Sequence, residues 1–158
     1  MKKTPLILCT AALVCIMNFP VFAAETKSEY KNESAQIRRE MENTGKEIRS
    51  LKAENKVVSD ALKAAKKAQK EAGKLKENKE LWKQVNALKD NLEDARVSYV
   101  EADSQVKVLK AKNRQDAKDK KYDDAISKLN QALEKKKDAL DSARQMNEIW
   151  DQIEKLIK

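Results

Sequence analysis

The side chains available for chemistry are mostly lysines, and two stretches concentrate them. Residues 61–83 carry eight lysines against three glutamates, and residues 107–121 carry seven basic side chains against two aspartates. Lys63, Lys66, Lys67, Lys70, Lys74 and Lys76 in the first stretch, with Lys110, Lys112, Arg114, Lys118, Lys120 and Lys121 in the second, are candidate contacts for an anionic partner. An acidic or unfolded protein, an anionic lipid surface or a glycan surface would each fit that charge. Against this stands the ordinary use of lysine at helix ends, where it is solvated and complements the helix dipole. Specific phosphate recognition usually recruits arginine, and Arg114 is the one arginine within these two stretches. Nucleic acid is disfavoured as a partner, because export would remove the usual target and Trp82, the one aromatic residue in the two stretches, makes no row of stacking rings.

Catalytic constellations are missing from the sequence. The chain has no histidine, and both cysteines, Cys9 and Cys15, fall in the first 23 residues. A histidine-based triad, a thiol nucleophile and the common zinc ligand sets are therefore excluded from 24–158. The acidic pairs Asp123-Asp124 and Glu93-Asp94 diverge by about 100° on a helix instead of converging on a substrate. Residues 116–124 lack the glycine of a calcium loop, and no glycine-rich phosphate loop exists. The expectation is a protein that is not an enzyme and holds no cofactor or metal.

The N-terminus reads as an export signal. Lys2 and Lys3 precede an apolar run over 6–17, and Val21-Phe22-Ala23 suits a signal peptidase, so cleavage is expected after Ala23. The run of 12 residues is short of the roughly 20 needed to span a bilayer. Neither cysteine follows a small residue as a lipid-anchor site requires: Leu8 precedes Cys9 and Val14 precedes Cys15. The expected location is the periplasm or the extracellular medium.

The elements that must position the basic groups are helices. Pro5 and Pro20 are the only prolines, so 24–158 contains none, and Gly45 and Gly73 are its only glycines. A Lys-, Glu-, Ala- and Leu-rich chain so poor in helix breakers has the composition of long helices. Apolar residues recur in steps of four and three along three seams. The first runs Tyr30, Ser34, Ile37, Met41, Thr44, Ile48, Leu51, Asn55, Val58, Leu62, Ala65. The second runs from Leu81 through Val85, Leu88, Leu92, Ala95, Tyr99, Ala102 and Val106 to Leu109. The third runs Tyr122, Ile126, Leu129, Leu133, Lys136, Leu140, Ala143 and, after a skip, Met146, Trp150, Ile153, Ile157.

Boundary signals divide these seams among helices over about 26–72, 78–112 and 119–157. Thr26 with Glu29 forms a capping box, Gly73 suits the left-handed residue ending the first helix, and Asn78 suits a cap of the second. Asn113 ends the second seam, and Asp116 or Asp119 could cap the third helix; a continuous helix through 112–121 is the alternative. Gly45 lies inside the first seam at a cost of about 1 kcal/mol.

Reversal at Gly73 and near Asp116 brings Trp82 and Trp150 to one end and Tyr30 and Tyr122 to the other, an all-α, up-down-up antiparallel three-helix coiled-coil bundle. Ala125, Ala132 and Ala139 broaden the third stripe, as in a helix packed against two neighbours. The first seam, with Ser34, Thr44 and Asn55, is the narrowest. Asn55 reads either as a register-fixing polar residue or as a mark of a seam that opens to a partner. The same seams could instead pair between chains, so self-association is an open outcome.

Lys121-Tyr122-Asp123-Asp124-Ala125-Ile126, continuing through Leu129, Ala132, Leu133 and Glu134, resembles the second helix of a tetratricopeptide repeat. That resemblance would imply a helix-turn-helix unit that binds peptides. It covers about one half-repeat, and 106–120 lacks the family's glycine and aromatic positions. Two functional classes follow: a structural or adaptor module of the cell envelope or the medium, and a holdase-type periplasmic chaperone. The second is similar in general character to the small, basic, helical chaperones that escort outer-membrane proteins.

Overall fold

The computed structural model describes residues 26–158, which form three helices: α1 (Lys27–Glu71), α2 (Lys79–Lys118) and α3 (Tyr122–Ile157). No strand occurs among the described residues. The export-signal reading of 1–23 lies outside them.

Every residue of the three seams is buried or half-buried. One apolar cluster joins Ile37 and Met41 of α1, Val106 of α2 and Ile126, Leu129 and Leu133 of α3, with Tyr30 and Tyr122 against it. A middle cluster joins Ile48, Ala95, Ala102, Ala139, Leu140 and Met146. A third joins Leu62 to Trp82, Val85 and Ile153, with Trp150 beside them. Along these clusters α1 and α3 ascend in residue number while α2 descends. The tyrosine rings of residues 30 and 122 stack at 5.6 Å between centroids, and the two tryptophans share the opposite cluster.

The helix α3 is central. It packs closely against both α1 and α2, whereas no Cα of α1 comes within 8 Å of one in α2. Ala125, Ala132, Ala139 and Ala143 of α3 are fully buried, because small side chains let a neighbouring helix approach on a second face. The helices α1 and α2 meet through side chains alone, at the edges of the shared apolar clusters and through bridging lysines. Lys52 Nζ sits 4.0 Å from the centroid of Tyr99, and Lys66 Nζ sits 5.6 Å from that of Trp82. Each lysine thus holds its ammonium over the face of an aromatic ring, a cation–π contact.

Local signals start and stop the helices. At Thr26, the hydroxyl accepts from the Glu29 amide at 3.3 Å and the Glu29 carboxylate accepts from the Thr26 amide at 2.9 Å, closing the capping box. Past Ala72, Gly73 takes φ 68°. There Lys74 N–H donates to Gln69 C=O at 2.9 Å and Gly73 N–H to Lys70 C=O at 3.2 Å, the paired bonds of a Schellman turn.

The second reversal differs from the sequence expectation. The helix α2 does not stop at 112 but runs on to Lys118, and α3 starts at Tyr122. Neither Asp116 nor Asp119 caps α3; Lys121 stands at its N-cap without a side-chain bond, and Asp119 is the C-cap of α2. The cause is a second Schellman turn. Lys121 N–H donates to Asp116 C=O at 2.9 Å and Lys120 N–H to Ala117 C=O at 3.4 Å, with Lys120 in the left-handed region at φ 62°. Asn78 stands at the N-cap of α2, yet its side chain makes no cap bond. Its amide instead donates to Gln69 Oε1 at 3.1 Å, and Trp82 Nε1 donates to the same oxygen at 2.8 Å.

A lysine in left-handed backbone is strained relative to glycine by about 1 kcal/mol. Lys120→Gly is therefore expected to stabilise the protein by up to that amount, and Gly73→Ala to destabilise it by a similar amount. Urea unfolding followed by circular dichroism reads both; a loss of stability in Lys120→Gly would contradict the strain.

Candidate functional site

The two basic groups lie at opposite ends of the molecule. Lys63, Lys66, Lys67 and Lys70 are exposed on the last part of α1, and Lys74 and Lys76 are exposed in the turn 72–78. Some of these are already engaged: Lys63 pairs with Asp60 at 3.0 Å, Lys67 with Glu71 at 3.9 Å, and Lys66 rides on Trp82. At the other end Lys112, Arg114 and Lys118 are exposed on the last turns of α2, and Lys120 and Lys121 are exposed in the turn that follows. Lys110 departs from this group, being half-buried and turned into a cleft between α1 and α2. The tips are open, convex helix ends, and they bring no concave site together.

The cleft was not legible as a site in the sequence. It has a volume of about 480 Å³ and exists because α1 and α2 are held apart by α3. Met41, Gly45 and Val106 form its apolar floor, with the stem of Lys136 rising from α3. Arg38 and Arg49 stand on the α1 wall, and Asp103, Lys107 and Lys110 on the α2 wall. A Cβ placed on Gly45 would lie 3.6 Å from Arg49 Nη1 and 3.8 Å from Lys136 Cε, ordinary contact distances that set these cations around one point. The available signal was Lys136, the one charged residue in the three seams.

Asp103 is the carboxylate at the centre of this charge. Lys107 Nζ lies 2.9 Å from Asp103 Oδ2, and Lys136 Nζ lies 3.7 Å from Oδ1. The hydrogen bond from Lys107 holds the Asp103 carboxyl below its ordinary value of 3.8, with the charges of Lys107, Lys136 and Lys52 adding to it and partial burial opposing it. The same bond raises the Lys107 ammonium above its ordinary value.

Asn113 lies beyond one end of the cleft, where it meets Arg38 of the α1 wall. Only 1% exposed, it donates from Nδ2 to Ala125 C=O at 2.7 Å, and the same amide nitrogen lies 3.3 Å from the Tyr30 hydroxyl. Its Oδ1 accepts from Arg38 Nη2 and from Tyr30 Oη, both at 3.4 Å. One side chain thus ties the three helices together. Asn55 is the contrasting case, for its buried Oδ1 has no hydrogen-bond partner among the described residues.

A separate groove of about 690 Å³ runs between α2 and α3, with Val108 and Leu109 on one wall and Asn130 and Glu134 on the other. Val97, Val100 and Val108, each about half exposed, line up along the outer face of α2. Elsewhere Arg144 clamps α3 to α1 through Glu47, at 2.7 Å from Nη2 and 3.1 Å from Nε. That bond raises the arginine's pKa above its ordinary value. Among the described residues no group of His, Cys, Asp and Glu could hold a metal ion, and no helix is long and apolar enough to cross a membrane. Comparison with protein-family models, curated proteins and solved structures gives no match.

Two outcomes follow. Asn113→Ala leaves the Tyr30, Arg38 and Ala125 groups without their partner and is expected to cost about 2 kcal/mol, read as a lower midpoint in urea. Asp103 titrates below the ordinary carboxylate range in the folded state, so its contribution to stability is present above the unfolded pKa and lost as pH falls through the folded one. Asp103→Asn is expected to be less stable than the parent at pH 7 and to lose less stability between about pH 5 and pH 2; identical acid limbs in melts of the two proteins would refute the assignment.

Proposed function

We propose that this chain is an exported, non-enzymatic interaction module, an up-down-up antiparallel coiled-coil bundle that acts through its outer helical surfaces as a structural or adaptor protein. The observation that carries this reading is the burial of all three seams within one chain, with α3 serving both neighbours. A chain that satisfies its own seams has its outer faces and basic tips left for a partner. The charged start, apolar run and small-residue cleavage pattern of 1–23 support export to the periplasm or the medium. Lys63, Lys66, Lys67 and Lys70 at one tip, and Lys112, Arg114, Lys118 and Lys121 at the other, would meet acidic protein or an anionic surface through long-range attraction that salt weakens.

A second reading, a holdase-type chaperone, draws on the docking of α1. That helix touches α3 alone at the backbone level and carries Ser34, Thr44 and the unpaired Asn55 in its seam. Swinging α1 away would bare Ile126, Leu129 and Leu133 of α3 for an unfolded client.

One experiment separates the two. A photo-crosslinking amino acid is placed at Val100 or Val108 of the exported protein in living cells. An adaptor gives one discrete adduct whose partner is identified by mass spectrometry, whereas a holdase gives a ladder of unrelated clients. No adduct at either position would overturn both readings.

A further inference from the structure

We infer that the cleft between α1 and α2 is a binding site for a phosphate-bearing small anion. The first ground is unbalanced charge. Five cationic side chains face the cleft, Arg38, Arg49, Lys107, Lys110 and Lys136, against two carboxylates. Of those two, Glu42 is engaged by Lys46 at 3.0 Å, outside the cleft lining. Asp103 is shared by Lys107 and Lys136. Arg38, Arg49 and Lys110 have no carboxylate partner among the described residues. Arg49 and Lys136 converge beside Gly45, Lys107 and Lys110 are neighbours three residues apart on α2, and an anion among such cations removes their mutual repulsion.

The second ground is shape. The cleft is bounded at both ends by side chains that bridge α1 to α2: Arg38 on Asn113 at one end and Lys52 on Tyr99 at the other. Arg38 and Arg49 stand about three helical turns apart, roughly 16 Å along the axis. Bridges at both ends limit its length, and its volume of about 480 Å³ falls in the range of small-molecule sites. Gly45 in the floor keeps the slot deep, since any side chain there would project between Arg49 and Lys136.

The third ground is donor chemistry. Guanidinium groups present forked donors that match the oxygens of phosphate, and lysines add point charge. Without Lys107 and Lys110, which line the cleft, the two basic stretches hold thirteen cations with a single arginine among them, whereas two of the five cations here are arginines. The apolar floor of Met41 and Val106 suits an organic body between or beside the phosphates, as in a phosphorylated metabolite or a lipid headgroup.

The test is isothermal titration of the purified full chain with sodium triphosphate at low and physiological salt. Saturable one-site binding is expected, weakened about tenfold or more by Arg49→Gln and by Lys110→Gln. It is expected to be unchanged in Lys155→Gln, a tip variant at the exposed end of α3 outside both basic groups. Gly45→Leu keeps every charge and fills the slot, so it should lose binding as well, with circular dichroism melts showing that each variant folds. Equal weakening by the tip variant, full binding by Gly45→Leu, no saturation, or binding of a poly-glutamate peptide in preference to triphosphate would overturn the inference. In a parallel arm, vesicles of phosphatidylglycerol that compete with triphosphate in an Arg49-dependent way identify a lipid headgroup as the source of the phosphate; failure to compete identifies a free phosphate compound.

Discussion

The packing of α3 against two neighbours at once is the constraint on which the remaining geometry depends. A helix with one narrow seam satisfies one partner; α3 carries a second stripe of alanines at residues 125, 132 and 139, each fully buried. Those small side chains let a backbone approach on the second face, so the apolar surfaces of α1 and α2 are both spent on α3. What the arrangement does not provide is a direct α1–α2 interface. That gap is spanned by lysine ammoniums over aromatic rings, by the Trp82–Gln69 hydrogen bond and by the Asn113 amide, and the cleft lies between the Lys52 and Arg38 bridges.

The open gap explains why charge gathers there. A surface lysine is solvated on all sides and an ion pair on a convex helix contributes little. In the cleft, Asp103, Lys110 and Lys136 are half-buried over an apolar floor and feel one another more strongly, while Arg38, Arg49 and Lys107 stay exposed at its walls. Asp103 is the internal response to that field, a carboxylate drawn between Lys107 and Lys136. The basic tips, by contrast, contain more positive charge but spread it over exposed, convex ends. Net charge along a sequence therefore ranks the tips first, while enclosure ranks the cleft first.

Periodicity made the helices, their seams and the central role of α3 readable from residue types alone, because burial on a helix follows steps of three and four. The first turn was readable for a related reason: Gly73 is the residue type that a left-handed position favours. The second turn has the same pair of hydrogen bonds but seats Lys120 in the left-handed position, so the usual marker was missing and the end of α2 was placed too early. Asn113 looked like the polar end of a seam. Its role as a tie among three helices depends on which residues two other helices bring to it, information that does not reside near position 113. The cleft was hidden for the same reason, since Arg38 and Arg49 come from one helix, Lys107 and Lys110 from another and Lys136 from a third.

The unequal lengths of the two connections also bear on how the chain reaches this state. The helices α2 and α3 are joined by three residues, 119–121, so their contacts form across a short loop; α1 must find α3 with the whole of α2 intervening, and the closure entropy of a longer loop slows that step. The α2–α3 hairpin is thereby the earlier unit to assemble, presenting the alanine stripe as a ready template, and α1 is the last helix to arrive and the first to leave. Synthesis runs in the opposite order, with α1 made first. The nascent chain therefore carries the seam of α1 without its partner until the final residues of α3 have been made.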